Sequence, residues 1–189
     1  GKPPGEGRVF ESNRAMIAAF VSRLGAEPNV YPIVRDELAA TKTALSKAFD
    51  ENHAVVTSGG VSVGEFDYVK QAFEAIDGKQ NLWKVNIKPG KPFVFGRKAD
   101  KFLFGLPGNP VSALVTFVLL VRPALLRMQA AVNVDLPGHT AVLKEQVTNK
   151  GDRRHFMRAC VDNSGKVRLS GTQASHMLSS MAAANGLID

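Results

Sequence analysis

The apolar run Ala54-Val55-Val56 stops abruptly at Thr57-Ser58-Gly59-Gly60, and Val69, Phe73 and Ile76 then recur at helical spacing. That pattern predicts a buried strand, a glycine-rich loop and a helix from about Tyr68 to Ile76. Ahead of it, Ser12 can cap a helix from about Asn13 to Leu24, which Gly25 stops. Val30 to Val34 reads as a short strand interrupted by Pro32. Asp36, at its carboxyl end, can cap a helix that carries Leu38, Leu45 and Phe49 on one face and ends near Asn52. Further on, Trp83, Val85 and Ile87 alternate with Lys84 and Asn86, the period of a strand with one buried face. It runs into Lys88-Pro-Gly-Lys-Pro92. Strands at Phe93–Phe95 and Phe102–Leu106 follow, then Leu106-Pro-Gly-Asn-Pro110 and a long apolar helix, about Val111 to Met128. Pro110 suits its first turn, and Pro123 predicts a kink.

Strands alternating with helices predict an α/β domain with a parallel-type sheet covered on both faces. After Ala131 the pattern changes. Pro137-Gly138, Lys150-Gly-Asp152 and Asn163-Ser-Gly165 punctuate short alternating runs at Ala141–Val147, Phe156–Val161 and Val167–Leu169. These predict a small β-rich domain, a barrel or sandwich. Residues 1–7 read as linker, 8–131 as the α/β domain and 132–189 as the small one.

Length agrees with this division, since 189 residues accommodate one ordinary domain and a small one. A single cysteine, Cys160, excludes an intrachain disulfide and suits a reducing cytosol. The longest uncharged apolar stretch, Val111 to Val121, is too short for a membrane span. Net charge is +7, yet no zinc-finger spacing, RNA-binding aromatic signature or lysine block is present, so no nucleic-acid partner is expected. Most of that charge reads as a solvated surface. The exception is local: Lys84, Lys88 and Lys91 fall close together around a Pro-Gly turn.

Three stretches can carry chemistry. In the central loop, Gly59, Gly60 and Gly64 allow close backbone approach, and Ser58 and Ser62 supply hydroxyls. Helix-start N–H groups there suit an anion, with Glu65 and Asp67 beside them. A tight turn capped by Asp67 explains the same residues equally well. Asp36 and Asp67 each follow a strand, and on one carboxyl edge the pair would suit Mg²⁺, which takes few protein ligands; two unrelated helix caps are the simpler account. Lys88 and Lys91 present point charges suited to a phosphate or similar oxyanion, and Lys84 shares the side of Lys88 if the strand stays extended. An exposed edge bearing solubilising lysines is the alternative. Finally, Ser112 sits in the first turn of the long helix, where its hydroxyl and the helix N–H groups can meet an anion; a well-formed turn capped by Asn109 is the plainer reading. His155 and His176 lack partners at metal spacing.

Thr57-Ser-Gly-Gly-Val-Ser-Val-Gly-Glu-Phe-Asp67, Ile87-Lys-Pro-Gly-Lys-Pro-Phe93 and Gly105-Leu-Pro-Gly-Asn-Pro-Val-Ser-Ala113 occur in this order. Together they closely resemble the MoeA family of molybdopterin molybdenumtransferases, which includes gephyrin. Leu120–Gln129, Arg153–Arg158 and Gly171–Met181 fit the same family. The resemblance implies a MogA-like three-layer α/β sandwich followed by a small C-terminal β-barrel domain. It implies insertion of molybdate into adenylylated molybdopterin with release of AMP, aided by Mg²⁺ or another divalent cation. Carried over by motif, Asp36 and Asp67 match the family's aspartates near metal and substrate. Lys84, Lys88, Lys91 and Pro92 match its basic loop, and Pro107, Pro110 and Ser112 its second loop. Arg153 and Ser175 match molybdate-contacting residues of the last domain. Two further upstream domains, a cytoplasmic homodimer when full length, and a MogA-type partner are also implied. Arg154 and His155 depart from the pattern, standing where relatives often have Pro and Glu. A gephyrin-like scaffold, or a domain that binds molybdopterin without turnover, is the alternative function.

Overall fold

The computed structural model describes residues 11–61, 68–149 and 151–189. Its first region is a three-layer sandwich. Strands β1 (Ala54–Ser58), β2 (Lys79–Trp83), β4 (Val94–Lys98) and β5 (Lys101–Leu106) form one sheet in the order β1-β5-β4-β2. Only β1 and β5 run parallel; β5–β4 and β4–β2 are antiparallel. The expected parallel-type sheet is therefore a mixed one. The reason is local, because Ala99 and Asp100 alone separate β4 from β5, and so short a link joins only antiparallel strands.

Side-chain alternation along β5 divides the core between the two faces. Leu103 packs with Val55, Val94, Leu45, Phe49 and Phe73, beneath α2 (Leu38–Glu51) and α3 (Tyr68–Glu74). Phe104 and Leu106 point the other way, to Phe93, Ile17, Ala113, Phe117 and Val121. That face is covered by α1 (Asn13–Arg23) and by one long helical run. The run comprises α4 (Pro110–Thr116), a π-helical turn at Phe117–Val121 and α5 (Arg122–Met128). Pro123 donates no N–H and crowds the preceding turn, and the π turn just before it is where the ladder adjusts. At 19 residues this run is long and apolar enough to cross a membrane by length and composition. Its buried residues pack against the sheet as a core helix.

Several local expectations change. Val30–Val34 forms no strand: Pro32 lacks a donor, and Val30 and Ile33 are 54% and 67% exposed. Glu37 rather than Asp36 is the N-cap of α2, and Leu38 is 40% exposed, off the face that buries Leu45 and Phe49. Ser12 does precede α1, but its side chain makes no capping bond; the Arg14 N–H is taken by Glu11 instead.

The second region holds a four-stranded sheet in the order β10-β8-β9-β6, from β6 (Val142–Leu143), β8 (Met157–Val161), β9 (Lys166–Leu169) and β10 (Gly186–Ile188). A short helix, α6 (Leu178–Ala182), precedes β10. The two regions are stitched by β3 (Ile87–Lys88), which pairs in parallel with β7 (Arg154–His155).

Candidate functional site

Two loops leave the sheet side by side. Ser58 and Leu106 are register partners at the carboxyl ends of β1 and β5, and the Gly59 N–H bonds to the Leu106 carbonyl. Gly59 has a φ of +83°, and a Cβ placed on Gly108 would lie 3.7 Å from the Gly59 Cα. Asn13, buried at the start of α1, ties the loops together. Its Nδ2 donates to the Ser58 Oγ at 2.7 Å and to the Gly108 carbonyl at 2.8 Å. Sequence reasoning missed this residue; its only mark was a polar side chain at the head of the helix, ahead of the apolar stretch Ala15–Val21. Ser62, Gly64, Glu65 and Asp67 lie outside the described residues, so the rest of the central loop is not placed.

The lysine-bearing loop leans on α4. Lys88 ends β3, and the Lys88–Pro89 peptide is cis. Gly90 has φ +115°, and a Cβ there would collide with the Thr116 Cγ2 and stand 3.7 Å from the Ser112 carbonyl oxygen. A side chain is thus excluded where the loop meets α4, for lack of space and because of the backbone conformation. Lys88 and Lys91 are exposed, Pro92 half-buried and Pro107 buried. Lys84 does not share the side of Lys88. With φ +71° it breaks the strand that alternation predicted from Trp83 to Ile87, and its Nζ sits 5.3 Å from the Trp83 ring centre.

Residues of the second region close the other side. The Phe156 N–H donates to the Lys88 carbonyl, and Arg153 reaches the Ile87 carbonyl at 3.5 Å. His155 is the register partner of Lys88. Burial, then the nearby Lys88, Arg158 and Arg153 charges, hold its imidazole below the ordinary value. Ser175 arrives at the start of α4. Its Oγ accepts from the Asn109 Nδ2 at 3.2 Å, and its carbonyl accepts the Val111 N–H. Asn109 therefore clasps Ser175 rather than capping the helix with its side chain. The helix start is also a poorer anion donor than expected: Pro110 has no N–H, Val111 gives its own to Ser175, and Ala113 bonds to Asn109. Ser112 is buried at this same turn. Two regions of the chain thus meet along α4: the loop after Lys88, whose strand pairs with His155 and receives Arg153, packs on Ser112 and Thr116, while Asn109 and Ser175 meet at the helix start.

Asp36 is exposed on the bend before α2 and forms no ion pair among the described residues. No group of three His, Cys, Asp or Glu side chains that could hold a metal occurs among the described residues. A separate cavity of about 330 Å³ lies in the second region, lined by Leu143, Val147, Asn149, Met157 and the Arg154–Asp189 ion pair. His155 borders it.

Residues 5–127 match the family model described as a probable molybdopterin binding domain, and residues 140–189 match the MoeA C-terminal region (domain IV). A molybdopterin molybdenumtransferase of Haemophilus influenzae is 37% identical over 193 residues, covering 100% of this chain and 48% of the relative. Molybdopterin molybdenumtransferase 2 of Mycobacterium tuberculosis is 37% identical over 195 residues, with the same coverage. The crystal structure of a molybdopterin biosynthesis MoeA protein from Pyrococcus horikosii superposes with a TM-score of 0.83 at 29% identity, over 99% of this chain and 46% of that one. The chain spans about half the length of these curated relatives. It belongs to the molybdopterin-binding domain family, with the C-terminal region of MoeA joined behind that domain.

Proposed function

We propose that this chain forms the oxyanion and molybdopterin site of a molybdopterin molybdenumtransferase. In the intact protein it would insert molybdate into adenylylated molybdopterin and release AMP. The observation that supports the reading is that the lysine-bearing loop and the Asn109–Ser175 clasp both pack on α4, from two regions of the chain. Lys88 closes one end of the short β3–β7 pair and Arg153 enters the other, reaching the Ile87 carbonyl; the loop after Lys88 packs on Ser112 and Thr116 of α4, and Asn109 and Ser175 meet at the start of that helix. Tetrahedral oxyanions suit this set. Ammonium groups supply point charge, the guanidinium a planar fork, and the serines adaptable donors. Two proline-bearing loops braced on one helix limit the reorganisation needed on binding.

The chain's own residues would act by binding and orientation. Lys88, Lys91 and Arg153 would offset the charge of molybdate and the substrate phosphate, while Ser175 and Ser112 fix the oxyanion's orientation. Ser58, Gly59, Gly60, Pro107 and Pro110, with Ser62 and Gly64, would form the molybdopterin side of the crevice. Asp36 with Asp67 is the candidate pair for Mg²⁺. An exposed Asp36 carboxylate suits an ion that keeps its waters. Once bound, that ion would offset charge on the phosphoanhydride. Lys84, turned onto Trp83, is assigned to the rim of the site. A cytoplasmic homodimer of the intact protein, working beside a MogA-type partner, belongs to the same proposal.

Tungstate, standing in for molybdate, tests the site. Charge-assisted hydrogen bonds contribute about 1.5–3 kcal/mol each. Replacing Lys88 and Lys91 together with alanine should therefore weaken tungstate binding at least tenfold by calorimetry at fixed ionic strength. Tungstate density far from Lys88 and Lys91, with none beside them, would refute the assignment. Molybdate-dependent AMP release by the intact protein separates turnover from binding alone.

A further inference from the structure

Arg158, on β8, is fully buried at 0% exposure and has no carboxylate partner among the described residues. A guanidinium in such a place is costly unless its donors are used. Here three of the five N–H groups, on Nη2 and Nε, serve the segment from Thr172 to Ser180, and Nη1 is buried without a partner among the described residues. Nη2 donates to the Thr172 carbonyl at 2.8 Å and to the Ala174 carbonyl at 3.2 Å. Nε donates to the Ser180 Oγ at 3.0 Å, and Ser180 in turn donates to the Met177 carbonyl. The backbone of Arg158 grips the same segment. Its N–H donates to the Gln173 Oε1 at 2.8 Å, while the Gln173 Nε2 returns a bond to the Arg158 carbonyl at 3.1 Å. Residues 172–174 are thus held from both sides, and the next residue is Ser175. From there the segment crosses to the first region, where Ser175 meets Asn109 and Val111.

We propose that Arg158 is a positioning residue for the oxyanion site. It shapes the 172–174 segment so that Ser175 is delivered onto the Asn109–Val111 turn, joining the second region to the start of α4. The guanidinium reaches the two carbonyls with Nη2 and Ser180 with Nε at once, a planar spread of donors that an ammonium, donating from one nitrogen, does not reproduce and an apolar chain lacks. The proposal rests on the oxyanion reading above for its functional meaning, but its geometric part is separately measurable. The Val111 N–H reports it directly, because its bond runs to the Ser175 carbonyl and not within its own helix.

The test uses Arg158→Lys and Gln173→Ala in this chain, with two readouts: hydrogen exchange at the Val111 amide and tungstate binding by calorimetry. Both substitutions should speed Val111 exchange at least tenfold, and Arg158→Lys should weaken tungstate at least tenfold. In a Ser175→Ala background, Arg158→Lys should then change tungstate affinity less than twofold, because the residue it positions is already lost. Unchanged Val111 exchange in both variants overturns the proposal. So does an undiminished effect of Arg158→Lys on tungstate in the Ser175→Ala background, which would mark the buried charge itself as the cause. If Arg158→Lys fails to fold, Gln173→Ala decides, since it loosens the same segment without disturbing the buried guanidinium. Failure of the unsubstituted chain to bind tungstate would defeat the oxyanion reading, while Val111 exchange would still decide whether Arg158 sets Ser175.

Discussion

The two regions are held together by different means. In the first, the largest fully buried side chains are apolar. Phe73 stacks on Phe49 with ring centres 5.5 Å apart, and a Cβ at either Gly78 or Gly96 would collide with the Phe73 ring. Leu103 and Leu106 of β5 are buried on opposite faces of the same sheet. In the second region the largest fully buried side chain is a guanidinium, and Val142, Leu143 and Val161 stay substantially exposed. A unit this small hides too little apolar area to define its shape by burial alone. It relies on hydrogen bonds around Arg158 and on what it shares with its neighbour, namely the β3–β7 pair and the clasp of Ser175 on α4. The candidate site residues lie where an apolar scaffold meets a polar one. The scaffold holds the lysine loop and the start of α4, and the polar unit brings Arg153 to Ile87 and Ser175 to Asn109.

The largest expected effect attacks the apolar side. Phe73→Ala should cost about 3–5 kcal/mol, the usual cost of deleting a fully buried phenyl group. Denaturant unfolding would show the loss, and a change under 1 kcal/mol would mean that the sandwich core is not organised around this ring. Next comes the junction. Gly90→Ala would force a Cβ against Thr116 at φ +115°, and strained backbone of this kind costs about 1–3 kcal/mol. Tungstate affinity should fall along with the denaturation midpoint, because the loop carrying Lys88 and Lys91 must lift off α4. Retained affinity would separate the loop's packing from its binding role.

A smaller perturbation sharpens the contrast without any substitution. We propose that residues 8–131 and 132–189 are separate structural units, and limited proteolysis should cut first within about 129–138. Initial cleavage inside the β1–α3 unit would count against that division. The smallest effect is on pH. The native protein resists charging His155, while the unfolded chain takes up that proton near the ordinary value of about 6.5. Stability should therefore decline as the pH falls below about 6.5 and level off below the lowered native value. His155→Gln should flatten that slope. Bound tungstate should reduce it too, by offsetting the Lys88 and Arg153 charges that oppose protonation. An identical pH profile for the substituted protein would show that another group controls it.

Much of the first region was legible from pattern alone. Strand β1, helix α3, the strands flanking the Lys98–Lys101 turn and the long apolar helix each obey one periodicity over enough residues to be read. Expectations failed where a single residue overrode the period. Lys84, in the left-handed conformation, ended a strand that alternation had carried through to Ile87. Pro32, without a donor, left Val30–Val34 unpaired. In the candidate site, glycines, prolines and lysines marked the loops, since turn chemistry and charge are local properties. Asn13 and Arg158 left no comparable trace: one is a polar residue at a helix start, the other a basic residue in an alternating run.

The sequence by itself determined the element types, the change from an α/β to a β-rich pattern, and the loops in which oxyanion chemistry is plausible. All of these depend on interactions between residues a few positions apart. Tertiary structure decided what depends on distant partners. It laid β1 beside β5 and β2 beside β4, placed His155 beside Lys88 through the β3–β7 pair, and spent the Val111 N–H on Ser175 instead of leaving it for an anion. It also buried Arg158 in a strand whose pattern alone would have left a basic residue in solvent. A buried donor is stabilised by an acceptor wherever the chain provides one, and here Nη2 and Nε find theirs a whole loop away, at Thr172, Ala174 and Ser180.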